Sequence, residues 1–226
     1  MYKLYIANKN YSSWSLRAWI LMKETGLSFE EEIFPFTNNS WSGYKKQCPG
    51  GLVPWLKDGD IAVWDTMAIT EYLAERHKGV WPSDPTTRAW ARSAAAEMHS
   101  GFSTLRNECP MNCGVRIALR EISAALQKDL NRINELWSEG LQRFGGPFLA
   151  GDQFTAVDAF FAPVVFRIQS FQLPMNDTCL EYVKYLLSIQ SMRDWEDAAL
   201  KETWRENVHE SEMLKHGILV NDLRLT

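Results

Sequence analysis

Tyr11-Ser12-Ser13-Trp14-Ser15 lies between a strand-like start and a run of helical spacing, and four of these five residues carry hydroxyls. A hydroxyl at a helix N-terminus sits beside backbone N–H groups that lack intrahelical partners, at the positive end of the helix dipole. Such a place favours an anion. A thiol bound there shifts toward the thiolate, which is the nucleophile, and a hydroxyl donating to the sulfur adds to the shift. The same serines serve equally as N-caps, because serine leads the capping preferences. Farther along, Pro54 stands at the start of a strand, where proline is tolerated, and X–Pro bonds are the ones that adopt cis with appreciable frequency. A cis Val53-Pro54 turn would aim the Val53 N–H and C=O at a neighbouring extended peptide; a trans bond would make an ordinary turn. Asp65 and Thr66 open a second helical run. The first is a natural N-cap, and the same N-terminus, with its free N–H groups, a hydroxyl and the dipole, can hold a carboxylate.

The elements that must position these groups follow from periodicity. Residues 2–7 read as a short buried strand, 15–25 as a helix ended by Gly26, and 29–33 as a second strand. About twenty residues separate the two strands, the spacing of a βαβ unit with parallel strands. The polar run Thr37-Asn-Asn-Ser40 begins a loop that continues to Gly51. Two apolar runs then flank Asp58-Gly59, a strong hairpin signal. Residues 65–77 resume helical spacing, with Ile69, Tyr72 and Leu73 on one stripe. The order β-α-β, loop, β-β-α predicts a mixed four-stranded sheet of thioredoxin-like type over residues 1–79. Residues 80–85, with two prolines and a Ser-Asp pair, read as a linker. Residues 86–226 read as an all-helical domain, with helices over 86–108, 120–144, 156–172, 178–189 and 192–203 and no alternating run to interrupt them. Thr155-Ala-Val-Asp158 is a capping box ahead of an apolar run and reads as structural. The fold class predicted is α/β plus all-α.

Composition narrows the function classes. The 226 residues suit one large or two unequal domains, and 46% hydrophobic with 23% charged residues is ordinary for a packed chain. A net charge of −4 argues against nucleic acid as a partner. Nine basic residues balance nine acidic ones up to position 80, so the acidic excess, nineteen against fifteen, falls in the helical part. No segment resembles a signal peptide or a membrane span, and a cytoplasmic protein is expected. Cys48, Cys109, Cys113 and Cys179 match neither a zinc pattern nor a disulfide framework, and reduced thiols are expected. His77, His99, His209 and His216 fit no metal spacing and read as surface or satisfied core residues, so no metal is expected. Of ten tryptophans, most read as packing; Trp14, beside the serines, is a candidate wall of a substrate site, with Tyr11 as its neighbour.

Ser12-Ser-Trp-Ser-Leu-Arg17 resembles the Ser-Ser-Cys-Ser-x-Arg signature of zeta-class glutathione transferases, whose activity includes maleylacetoacetate isomerisation. Leu52-Val-Pro-Trp-Leu56 is similar to that family's cis-proline turn, and Asp65-Thr-Met-Ala-Ile-Thr-Glu-Tyr-Leu73 to its γ-glutamyl-binding segment. Thr155-Ala-Val-Asp158 resembles the capping box of the second domain. The resemblance implies glutathione as cosubstrate, Ser12 and Ser13 as catalytic candidates, and Val53, Pro54, Asp65 and Thr66 as glutathione contacts. It also implies a homodimer. Trp14 replaces the family's cysteine, which weighs against isomerase activity, and Cys48-Pro49 replaces the commoner Asn-Pro. The expected function is therefore a glutathione transferase acting on a small apolar electrophile in a cleft between the domains. Alternatives are a glutathione-dependent isomerase and a non-enzymatic ligand-binding module on the same fold.

Overall fold

The computed structural model describes residues 1–35, 48 and 50–224. The polar run at 37–40 and Pro49 lie outside the described residues. Strand β1 (Tyr2–Ile6) runs parallel to β2 (Phe29–Ile33), Tyr2 opposite Phe29 and Ile6 opposite Ile33, with helix α1 (Ser13–Glu24) as the crossover. β3 (Trp55–Asp58) lies antiparallel on the other side of β1, and β4 (Ile61–Trp64) closes the hairpin, with Gly59 in the left-handed conformation its turn needs. The sheet order is β2-β1-β3-β4, followed by α2 (Thr66–Ala74). This is the mixed four-stranded sheet that the spacing predicts.

Beyond it lie α3 (Pro85–Ser100), α4 (Ser103–Glu108), α5 (Ala124–Phe144), α6 (Ala156–Phe171), α7 (Asp177–Ser188), α8 (Gln190–Leu200) and α9 (Asn207–His216). The long helix expected over 86–108 is two helices. Gly101 ends the first, since a Cβ there would meet the Glu97 carbonyl at 2.8 Å, and Phe102 takes a left-handed conformation, φ +57°, before α4 begins. The helix expected from 120 begins at Ala124 instead, because the Ser123 hydroxyl caps the Leu126 N–H at 3.0 Å. The second part is helical but carries two strands, which corrects the all-helical expectation. β5 (Val115–Leu119) pairs antiparallel with β6 (Gly217–Asp222) about a hundred residues later, across a register shift at Arg116/Ile117. Val115-Arg-Ile does alternate, but over too short a run to stand out between helices.

One core runs through both parts. α1 is wedged between the sheet and α6, so it buries nearly its whole circumference and shows little amphipathic signal. α6 is equally enclosed. At its start Asp158, fully buried, accepts from the N–H groups of Leu149 (2.9 Å) and Thr155 (3.0 Å) and from the Tyr182 hydroxyl (3.0 Å). The Ala156 N–H reaches back to the Val80 carbonyl at 2.8 Å, which ties this box to the segment joining the two parts. The described residues contain no helix long and apolar enough to cross a membrane.

Candidate functional site

The loop before α1 is held from both sides. Glu202, at the end of α8, accepts from the Lys9 and Asn10 N–H groups (2.6 and 3.2 Å), and Asn10 bridges the Ala199 carbonyl and the Gly114 N–H. The Trp195 indole N–H donates to the Lys9 carbonyl at 3.0 Å. Pinned there, the chain turns into α1 with Ser12 as N-cap. Ser12 Oγ accepts from the Ser15 N–H (3.3 Å) and donates to Ser15 Oγ (2.7 Å), which also accepts from the Ala7 N–H (3.1 Å). Hydroxyl protons rotate to suit their partners, so Ser15 can instead donate to Ser12 and release the Ser12 proton outward. The Ser13 hydroxyl makes no hydrogen bond among the described residues.

Ser12, Ser13, Trp14 and Tyr11 all line one cavity of about 290 Å³ between the two parts of the molecule. Leu52 and Val53 complete its sheet-side wall, and the Val53-Pro54 peptide is cis. The opposite wall comes from the helical part: Arg106, Pro110, Met111, Arg167, His209 and Glu212. Cysteine is absent from this lining; all four cysteines are free and buried, and burial pushes the Cys109 thiol up to about 12. Tyr11 turns its ring to the cavity but not its hydroxyl. The phenol donates to Glu210, accepts from Arg224 (3.2 Å) and stacks on His209 with ring centroids 5.3 Å apart. Burial and the Glu210 carboxylate raise its pKa further above the ordinary value.

Asp65 and Thr66 are not part of this cavity wall. Asp65 caps α2 through Oδ1, which accepts from the Met67 N–H at 2.8 Å, and it does so at φ +74°, a strained backbone for a non-glycine residue. Its Oδ2 stands 3.4 Å from His99 Nε2. Thr66 is buried, with its hydroxyl 3.4 Å from His99 Nδ1. His99 is the link between the two places: its ring stands edge-on to Trp14 at 5.3 Å. Burial lowers its pKa, opposed by the Asp65 carboxylate.

Trp14 itself is flanked by guanidinium groups, Arg17 at 4.3 Å and Arg106 at 4.9 Å from the ring centre. His99, Arg106 and Arg167 escape a reading by motif. His99 reads as one of four histidines without metal spacing, and Arg106 falls in the irregular stretch 101–114 that periodicity cannot place. The cue available for Arg17 and Arg167 is an arginine in an otherwise apolar helical run.

The fold and this inter-domain cleft define a two-domain architecture, a thioredoxin-like sheet followed by a helical part. The profile of the glutathione S-transferase N-terminal domain matches residues 11–76, and that of its C-terminal domain residues 88–199. The chain belongs to the glutathione S-transferase family of enzymes. It is 26% identical to glutathione S-transferase 1 of Dianthus caryophyllus over 87% of this chain and 95% of the relative. It is 25% identical to a probable maleylacetoacetate isomerase of Caenorhabditis elegans over 76% and 81%. The 32% identity to glutathione S-transferase F14 of Arabidopsis thaliana spans 54% of this chain and 51% of that one. A Burkholderia glutathione transferase homologue with bound glutathione shares the fold, with a TM-score of 0.66, 22% identity and coverage of 88% and 97%.

Proposed function

We propose that this enzyme binds glutathione along the edge of its first domain and directs the thiolate at a small electrophile held in the cleft. The observation that carries the reading is the α1 N-terminus, where Ser12 and Ser13 share a cavity wall with Val53 of the cis turn. In this reading the cysteinyl backbone pairs with the Val53 N–H and C=O. The sulfur lies at the α1 N-terminus and accepts a hydrogen bond from the Ser12 hydroxyl, with Ser13 as its neighbour. Hydrogen bonds and dipole together favour the thiolate. The γ-glutamyl end meets the start of α2, its ammonium at Asp65 and its carboxylate at the N–H groups and hydroxyl of Thr66. The protein supplies positioning and anion stabilisation; the cosubstrate supplies the nucleophile.

Transfer is favoured over isomerisation, because Trp14 occupies the family's cysteine position and the cavity lining contains no thiol. A homodimer completes the reading. Trp64, exposed just ahead of α2, supplies apolar surface for a two-fold contact. The four free cysteines suit a cytoplasmic location. Retention on glutathione-agarose, followed by turnover against halogenated aromatics, epoxides, enones and maleylacetoacetate analogues, tests the function. Failure to retain the folded protein overturns it. Light scattering tests the dimer, which a persistent single-chain mass would refute.

A further inference from the structure

Three arginines converge behind and beside Trp14 from helices far apart in sequence. Arg17 is 1% exposed, and its Nε, Nη1 and Nη2 all lack a hydrogen-bond partner; its guanidinium lies between the rings of Trp14 and Phe160, at 4.3 and 5.0 Å. Arg167 is 4% exposed and donates to the Cys109 and Pro163 carbonyls, at 2.9 and 3.2 Å. Arg106 donates to the carbonyls of Gly101, Met98 and His99 at the end of α3. Carbonyls satisfy N–H groups and leave the charge uncompensated. Buried charges are ordinarily paired, yet Arg17, Arg167 and the half-buried Arg106 form no ion pair among the described residues. Asp65 and Asp129 attract Arg17 and Arg106 only at longer range, and Glu212 is the carboxylate in the cavity lining. Burial lowers the pKa of all three, that of Arg167 to about 10; neighbouring arginines add to the shift at Arg17 and Arg167, and Asp129 opposes it at Arg106. The acidic excess of the chain lies in the helical part, but the wall that this part gives the cavity is basic.

We infer that the second substrate is an anion: an electrophile bearing a carboxylate, which docks on the Arg106 and Arg167 wall. This rests on the transferase reading above and replaces the apolar electrophile expected from sequence. Both arginines belong to the helical part, whereas the groups proposed to hold glutathione, Ser12, Val53, Asp65 and Thr66, all belong to the sheet domain. A carboxylate on this wall gives the paired arginines a counterion and leaves the reacting carbon free to face the thiolate across the cavity. Arg17, sealed behind Trp14, adds a fixed positive charge without touching either substrate.

A chlorodinitrobenzoate and the matching chlorodinitrobenzamide provide the test. With either, a C–S bond forms to the ring carbon, chloride leaves with the C–Cl electron pair, and the thiol proton goes to solvent. Each enzymatic kcat/KM is divided by the uncatalysed rate with glutathione, which removes intrinsic reactivity. The expected result is a preference for the benzoate of at least about tenfold, in line with a charge-assisted hydrogen bond. That ratio falls toward one in Arg106→Met and is partly kept in Arg106→Lys, while calorimetry shows glutathione affinity unchanged. A wild-type ratio near one overturns the inference. So does a loss of glutathione affinity in Arg106→Met with the ratio intact, which would give these arginines to the carboxylates of glutathione itself. Should Arg106→Met fail to fold, the wild-type ratio decides. If neither compound is turned over, the transferase reading fails separately, and binding of dinitrobenzoate against dinitrobenzamide, followed by tryptophan fluorescence, takes over. Preference for the benzoate then upholds the anion site; equal binding overturns it.

Discussion

The N-termini of α1 and α6 use similar capping chemistry to opposite ends. At α6 the Asp158 carboxylate is fully buried and accepts from four protein donors, two backbone N–H groups and the Thr155 and Tyr182 hydroxyls. Asp158 itself is sealed from solvent. At α1 the Ser12 hydroxyl caps the helix and sits on a cavity wall, and Ser13 beside it has no partner among the described residues. A capped N-terminus sealed in the core is a folding device. One with a hydroxyl left over on a cavity wall is equipped to receive an anion.

The largest expected effect falls on the sealed end. Asp158→Ala leaves two backbone N–H groups and a tyrosine hydroxyl without an acceptor in the core, at about 2–4 kcal/mol of stability. Chemical denaturation measures the loss, and the folded fraction should keep its KM for glutathione. A variant of normal stability with impaired turnover would break the comparison.

At the open end the readout reverses. Ser12→Ala removes the proposed donor to the sulfur, raises the thiol pKa and lowers kcat/KM at least tenfold, about 1.4 kcal/mol. Its pH-rate profile should move to higher pH. Ser13→Ala should do less; the reverse order would transfer the donor role to Ser13, whose hydroxyl is uncommitted. Tyr11→Phe sharpens the same point, because the phenol directs its hydrogen bond to Glu210. It should leave the acid limb of the profile in place.

Thr66→Ala tests the second proposed anion end, at α2. Glutathione binding should weaken by about 1–2 kcal/mol, the worth of one carboxylate contact, with maximal velocity changing less. Unchanged affinity by calorimetry would leave Thr66 as a buried partner of His99 and nothing more.

The smallest effect concerns pH. Burial raises the Asp158 carboxyl from its ordinary 3.8 to about 6, against the pull of its hydrogen-bond donors. The folded state then holds a proton that the unfolded chain releases. This group's contribution to stability is complete below pH 4 and declines as pH rises toward 6, the opposite of an ion-paired surface carboxylate. The difference in Tm between wild type and Asp158→Asn, followed from pH 4 to 6, should contain that slope; a flat difference would remove it.

Local pattern made much of this molecule legible. The βαβ spacing, the Asp58-Gly59 turn, the residues before α1 and the capping box at α6 each depend on neighbours within a turn or a crossover. Sequence periodicity records such relations directly. The family resemblance rests on the same short segments. What the chain could not disclose as a string is which distant side chains meet. β5 finds β6 a hundred residues on, and no local turn joins the two. α1 hides its helical face because it is covered on both sides. Arg17, Arg106 and Arg167 come together around Trp14 only when α1, α4 and α6 pack against one another, and His99 reaches Asp65 and Thr66 from the far end of α3. A single sequence fixes residue types and local spacing; the charge left without a counterion on the cavity wall exists only in the packed chain, where burial removes the water that would otherwise have solvated it.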